Sequence, residues 1–228
     1  MIVSRLAHEL KLEGILTAIR CVGDLASRRD VRLVVVGDGP ARREVEEAAA
    51  AANRGHASDP VILMGALEDP RGAYDAADVC IAMGGSALRA MAFSKPLIVQ
   101  GERGFFETVT AASLPVFLDQ GWYGQDHLDR EAASSKLAGL ICELLDDRER
   151  AAELGALGRS LVLNRFSLEA AAKSMVSTYE AALLHTPRFP QVGEVVRSAS
   201  RLTAHKVSSR WEYYRGRGHR DDFNANPL

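Results

Sequence analysis

Short apolar runs alternate with longer polar segments of helical repeat along most of this 228-residue chain. The apolar runs predict buried strands, and apolar residues spaced three or four apart predict helices that cover them. Strand and helix alternate through about residue 145, which is typical of a doubly wound parallel sheet. We therefore predict an α/β fold with a Rossmann-like sheet over residues 1–184 and a basic helical extension over residues 185–228.

The predicted strands occupy residues 2–6, 31–36, 61–64, 79–83, 97–99 and 114–118. The predicted helices occupy residues 11–27, 42–52, 69–76, 87–93, 105–112, 128–145, 148–165, 167–184 and 192–215. The first strand begins almost at residue 1, which is abrupt for a central strand, so we expect a further segment to precede it.

A glycine turn between the strand at 79–83 and the following helix predicts an anion site. Gly84 and Gly85 allow a sharp turn and a close ligand approach, and Ser86 is a favourable N-cap. Free amides at the helix N-terminus attract anions, helped by the helix dipole. A tight turn without a ligand is the alternative, because Gly-Gly-Ser alone is a weak signal.

Residue clusters follow the carboxyl ends of five predicted strands, and four of these five clusters contain glycine. Ligands of doubly wound sheets bind at the edge that the carboxyl ends of the strands form. Several close backbone approaches at one edge favour a nucleotide-sized ligand over plain turns. The five clusters are Arg5, Gly37-Asp38-Gly39, Gly65-Ala66, Gly84-Gly85-Ser86 and Gln100-Gly101-Glu102.

Composition narrows the function class. The net charge of -2 argues against a nucleic-acid-binding protein. Cys21, Cys80 and Cys142 are scattered through apolar segments, which predicts free thiols in a reducing compartment, with neither a metal site nor disulfides. No apolar run approaches the roughly 20 residues of a membrane span, and residues 1–20 do not resemble a signal peptide. We predict a cytoplasmic location.

The last 44 residues differ in charge from the rest: residues 185–228 hold eight Lys and Arg against four Asp and Glu. One interpretation is a helix packed on the back of its own domain or on a partner domain. The other is a basic amphipathic surface for acidic partners or an anionic membrane, which would make the protein peripheral at that membrane. We expect residues 216–228 to be disordered.

Six motifs in order, across residues 2–184, resemble the nucleotide-sugar half of family 4 GT-B glycosyltransferases. The opening motif is Val3-Ser4-Arg5-Leu6 with Lys11 and Gly14. The others are Val34 to Pro40, Val61 to Gly65 with Tyr74 to Val79, Arg89-Ala90-Met91-Ala92 with Lys95-Pro96, Gly104 with Glu107, and Arg165-Phe166-Ser167 with Tyr179.

The resemblance implies a retaining, hexosyltransferase-type transfer of a sugar from a nucleoside diphosphate sugar, with no separate cofactor. Arg5 and Lys11 would hold the diphosphate and stabilise it as it leaves. The remaining binding positions are Gly84, Gly85 and Ser86 at the diphosphate, the backbone near Gly65, Ala66 and Leu67 at the base, and Gly37 at its strand end.

The sequence departs from the family at two glutamates. The second normally holds the ribose hydroxyls, and Arg89 stands in its place. A guanidinium donates hydrogen bonds but accepts none, so Arg89 could bind a phosphate or form a structural ion pair. The first glutamate has no counterpart. Glu102 or Glu107 could supply a carboxylate, and Glu107 matches the motif better.

The chain corresponds to a donor-binding half, so we expect an N-terminal acceptor-binding domain, in cis or in trans, to complete the enzyme. The alternative is a non-catalytic nucleotide-sugar-binding or scaffold subunit of a split glycosyltransferase. A sugar epimerase of the same architecture has less motif support.

Overall fold

The computed structural model describes residues 1–184 and 192–214. One sheet contains the parallel strands β1 (Ile2–Val3), β2 (Leu33–Val36) and β3 (Val61–Gly65). A second contains β4 (Cys80–Ala82), β5 (Leu97–Gln100) and β6 (Phe106–Thr108), of which β6 runs antiparallel to β5.

Backbone hydrogen bonds join the two sheets. The Met1 amino group donates to the Val79 carbonyl at 2.9 Å, and the Ile81 amide donates to the Met1 carbonyl at 2.9 Å. The strands therefore lie in the order β3-β2-β1-β4-β5-β6. This doubly wound arrangement confirms the predicted fold class.

The helices are α1 (Leu12–Ala26), α2 (Arg42–Asn53), α3 (Arg71–Asp75), α4 (Gly85–Ala92), α5 (Leu114–Gln120), α6 (Arg130–Asp146), α7 (Arg148–Leu161), α8 (Leu168–Leu184) and α9 (Val192–Tyr214). A π-helical turn, Val162–Phe166, separates α7 from α8. None of these helices is both long and apolar enough to cross a bilayer.

Alternating side chains of the strands fill two apolar cores, one on each face of the sheet. Ile98 of β5 points into the core covered by α1, α2 and α6, whereas Leu97 and Val99 point into the core covered by α3, α4 and α5. The helices change face between α2 and α3, so the topological switch point lies between β1 and β4.

Two predicted elements are wrong. Residues 105–112 were predicted as a helix, but Phe106 and Thr108 are buried with Glu107 half-buried between them, the period of a strand. Residues 114–118 were predicted as a strand, but they begin helix α5. Gly121 ends that helix in the left-handed conformation, at φ 88°.

The chain forms two compact units, Met1–Ala170 and Ala171–Leu228. The first contains every strand that the structure describes. In the second, Leu183 and Leu184 are more than four-fifths exposed, and α9 confirms the predicted helix up to Tyr214. The domain boundary after residue 184 stays a prediction, and the disorder predicted for residues 216–228 lies outside the described residues.

Candidate functional site

A cleft opens at the carboxyl edge of the sheet, at the switch point between β1 and β4. Its volume of about 450 Å³ is in the range of small-ligand sites. Its lining comes from the ends of four strands and the helices that follow: Val3, Ser4, Arg5, Lys11, Val36, Gly37, Asp38, Ala66, Leu67, Pro70, Met83, Gly85, Ser86 and Arg89.

A second cavity, of about 530 Å³, lies at the opposite edge, beside Met1, Leu33 and Val79. That edge carries the amino ends of the strands. Ligands of doubly wound sheets bind beyond the carboxyl ends, so the smaller cleft is the candidate site despite its size.

One wall of the cleft is the loop between β1 and α1. The Ser4 amide donates to the Val36 carbonyl at 2.9 Å, which extends the strand pairing into the loop. A Cβ on Gly37 would lie 1.8 Å from the Ser4 carbonyl oxygen, so any larger residue would push the loop away. Gly37 therefore positions the loop that carries Arg5 and Lys11.

Arg5 and Lys11 lie close enough to influence each other. Partial burial lowers the pKa of the Lys11 ammonium, and the positive charge of Arg5 lowers it further. Two like charges held together in a partly desolvated cleft are stabilised by an anion between them. This wall is therefore suited to a phosphate group.

The facing wall is the N-terminal turn of α4. Gly84, at φ 55°, is the N-cap, so the helix begins at Gly85 and the predicted N-cap role of Ser86 is wrong. The Ser86 hydroxyl instead donates to the Met83 carbonyl at 2.9 Å. The Gly84 amide donates to the Trp122 carbonyl at 3.0 Å. Gly84 thus shapes the turn, whereas Gly85 and Ser86 line the cleft.

Arg89 follows Ser86 by three residues, on the same face of α4, and its side chain is exposed at the rim. The positive charge of Arg89 reaches Tyr74, which is 2% exposed. Burial raises the pKa of the Tyr74 phenol to about 12, and Arg89 opposes that rise. Arg89 is therefore directed between α3 and the cleft.

Asp38 is the one carboxylate among the lining residues, and its charge is already offset. One oxygen accepts from the Gly39 amide at 2.7 Å, and the other accepts from the Arg42 guanidinium at 2.9 Å. The lining also contains three cations, Arg5, Lys11 and Arg89. The cleft thus carries a positive excess that favours an anionic ligand.

The far end of the cleft, beyond β3, is less polar. Leu67 is an exposed apolar side chain there, at 39%, next to Ala66 and Pro70. The Gly65 carbonyl accepts from the Gly37 amide at 2.8 Å, so Gly65 belongs to the sheet and does not line the cleft. This end can therefore contact an apolar part of a ligand.

The structure brings most predicted site residues together: Arg5, Lys11, Gly37, Leu67, Gly85, Ser86 and Arg89. Glu107 is not among the lining residues, because it lies on β6 opposite Val99. Its catalytic role stays a prediction. Glu102 accepts hydrogen bonds from the Tyr123 hydroxyl and, at 2.8 Å, from the Gln125 amide, which ties it to a surface loop.

Sequence reasoning assigned no side-chain role at this site to Ser4, Asp38, Pro70 or Met83. Ser4 and Met83 directly follow β1 and β4, Asp38 lies two residues after β2, and Pro70 directly precedes α3. Their positions at strand ends were visible in the sequence, but their lining role follows only once the strands are aligned.

Residues 1–147 match the family described as Glycosyl transferases group 1. The chain belongs to this family. A 2-deoxystreptamine glucosyltransferase from Streptomyces kanamyceticus is 30% identical over 191 residues, which cover 79% of this chain and 45% of that protein.

Solved structures show the same fold. HepE of Anabaena, in complex with UDP, has a TM-score of 0.55 at 18% identity over 79% of this chain and 48% of its own. The C-terminal domain of the group 1 protein LpcC from Francisella tularensis has a TM-score of 0.50 at 18% identity, covering 74% of this chain and 84% of its own. The fold is thus the Rossmann-like fold of GT-B glycosyltransferases. The chain spans about half the length of the Streptomyces glucosyltransferase and of HepE.

Proposed function

We propose that this chain is the donor-binding half of a retaining, family 4, hexosyltransferase-type glycosyltransferase. The observation that carries the proposal is the convergence of Arg5 and Lys11 with the first turn of α4 on one cleft. The structural relative HepE was solved with UDP, and the curated relative is named a glucosyltransferase. Both support a nucleoside diphosphate sugar as the donor.

The chemistry fits the residues. When the bond between the anomeric carbon and the diphosphate oxygen breaks, negative charge grows on the diphosphate. Arg5 can grip phosphate oxygens with two parallel hydrogen bonds, and Lys11 acts as a point charge. The amides of Gly85 and Ser86 add fixed dipoles. Groups that bind this growing charge favour the transition state over the ground state.

The proposal assigns the acceptor to a separate N-terminal domain, in cis or in trans. It keeps Glu107 as the carboxylate at the donor sugar, on the strength of the motif. Because Glu107 lies on β6, the sugar would have to extend from the cleft along the sheet edge past β4 and β5.

A non-catalytic nucleotide-sugar-binding subunit is the second candidate. The observation that favours it is the lining of the cleft, whose carboxylate Asp38 is held by Arg42. Release of UDP from UDP-glucose in the presence of the chain and a candidate partner domain would favour the enzyme. Tight binding of UDP with no release would favour the subunit.

Calorimetric titration with UDP tests the site itself. We expect Arg5→Ala and Lys11→Ala each to weaken binding by about 1–3 kcal/mol, the contribution of a charge-assisted hydrogen bond. Arg43→Ala is the matched control, since Arg43 pairs with Glu47 on the exposed face of α2, outside the cleft. No heat with any nucleoside diphosphate at millimolar concentration would contradict the proposal.

A further inference from the structure

Some surface arginines of the described chain have an ionic partner, whereas Arg89, like Arg28, Arg54 and Arg103, has none among the described residues. Arg29, Arg42, Arg43 and Arg71 each form an ion pair with an Asp or Glu. Arg89 forms none with any carboxylate that the structure describes. The structural ion pair that the sequence left open for this residue is therefore not found in residues 1–184 and 192–214.

The position of Arg89 on α4 places it beside the phosphate end of the cleft. It lies one turn along α4 from Ser86, on the face that lines the cleft, so both can contact one ligand. Arg5 and Lys11 line the cleft from the β1–α1 loop. A ligand between the loop and α4 thus meets cations from two sides.

The chemistry of the guanidinium separates phosphate from ribose. Ribose hydroxyls are best held by a group that accepts hydrogen bonds from both, and a guanidinium has no acceptor. Phosphate oxygens accept charge-assisted hydrogen bonds from it, which are about twice as strong as neutral ones.

We propose that Arg89 is a third phosphate-binding cation, and that the site forms no selective hydrogen bonds with the ribose hydroxyls. The ligand class that follows is any nucleoside diphosphate, with a ribose or a deoxyribose. This inference rests on the proposed function, because it places Arg89 on the same diphosphate as Arg5 and Lys11.

The proposal predicts how the site distinguishes a ribose from a deoxyribose. A site built to hydrogen-bond a hydroxyl rejects an analogue that lacks it, because buried polar groups are left unpaired. At the position of Arg89 on α4 there is no acceptor that the loss of a ribose hydroxyl would leave unpaired. UDP and 2′-deoxy-UDP should then bind with affinities within about twofold of each other.

The experiment titrates the full chain with UDP, 2′-deoxy-UDP, pyrophosphate and uridine, comparing wild type with Arg89→Gln and Arg89→Lys. We expect Arg89→Gln to weaken UDP, 2′-deoxy-UDP and pyrophosphate alike by about tenfold or more, and to leave uridine unchanged. Arg89→Lys should retain part of the affinity, because its charge remains. Arg71→Gln is the matched control, since Arg71 lies on neighbouring α3 but pairs with Asp69.

Three outcomes would overturn the inference: an unchanged pyrophosphate affinity in Arg89→Gln, a wild-type preference for UDP over 2′-deoxy-UDP above tenfold, or a parallel loss of all ligands with a lowered melting temperature. In each case wild-type binding of UDP would leave the proposed function standing. Failure of the wild-type chain to bind any nucleoside diphosphate would instead remove both.

Discussion

At the residue scale, Lys11 sets the pH range of the site. Burial, then the charge of Arg5, lowers the pKa of Lys11 below its ordinary 10.5, so in the empty cleft it loses its proton at a lower pH than an exposed lysine does. The folded chain gains stability as the pH rises through this pKa, because the charged form is the disfavoured one. A diphosphate, in contrast, requires the charged form.

We therefore expect UDP affinity to fall as the pH rises from neutral through the lowered pKa of Lys11, below pH 10.5. Calorimetry across that range measures it. In Lys11→Arg the decline should disappear, since a guanidinium stays protonated throughout. A decline of equal size in both proteins would assign the effect to another group.

The sequence predicted part of this site. Glycines at strand ends indicated the edge, and Arg5 and Lys11 were assigned through the family resemblance. The Ser86 hydroxyl could not be placed, because its choice between capping and bonding to the Met83 carbonyl depends on the turn at Gly84. The missing ion pair of Arg89 is likewise a fact of packing, which no local pattern reports.

At the element scale, α7 packs unusually close to the loop after α4. A Cβ on Gly155 would lie 2.0 Å from the Ser94 carbonyl oxygen, and one on Gly158 would lie 2.8 Å from the Met91 side chain. Ser94 also has a positive φ, at 57°, so the loop has little freedom to retreat. The glycines thus fix how α7 covers α4 and β5.

We expect Gly155→Ala to lower the free energy of unfolding by about 1–3 kcal/mol or more, because the clash is with backbone. Gly139→Ala in α6 is the opposite control: nothing lies within 4 Å of its Cβ, and alanine favours helix by about 0.5–1 kcal/mol. Denaturant melts measure both. Equal effects of the two changes would contradict the packing argument.

The strands and helices of the first 100 residues could be predicted from the sequence. Each strand there is a nearly continuous apolar run, and the helix that follows it covers it. The segment 105–118 did not. β6 has three residues and pairs antiparallel with β5, so its strand character comes from its partner. Phe117 of α5 is buried by stacking on Trp122, a contact five residues away that an isolated apolar run does not reveal.

At the scale of the whole molecule, the core and the cleft belong to one unit. The apolar side chains that the structure shows as buried lie between Ile2 and Ala151, and the residues that line the cleft lie between Val3 and Arg89. Both stretches fall within the unit Met1–Ala170.

We expect a chain shortened after Leu184 to keep its UDP affinity within about twofold, since all the residues that line the cleft belong to the first unit. Calorimetry and thermal melts measure this. Sedimentation with anionic phosphatidylglycerol vesicles tests the basic segment: binding by the full chain alone, lost at high salt, would support a membrane surface. A melting temperature lowered by the truncation would support packing on the domain instead.

The hydrogen bonds between β1 and β4, here called the seam, join the two halves of the sheet. They have a consequence for how the chain folds. Each half of the sheet is built from consecutive segments, but the seam joins Met1 to Val79, 78 positions apart. Closing so long a loop costs entropy that local pairing does not. We expect the two halves to form early and the seam to close last, which would assemble the ligand cleft only in the final step.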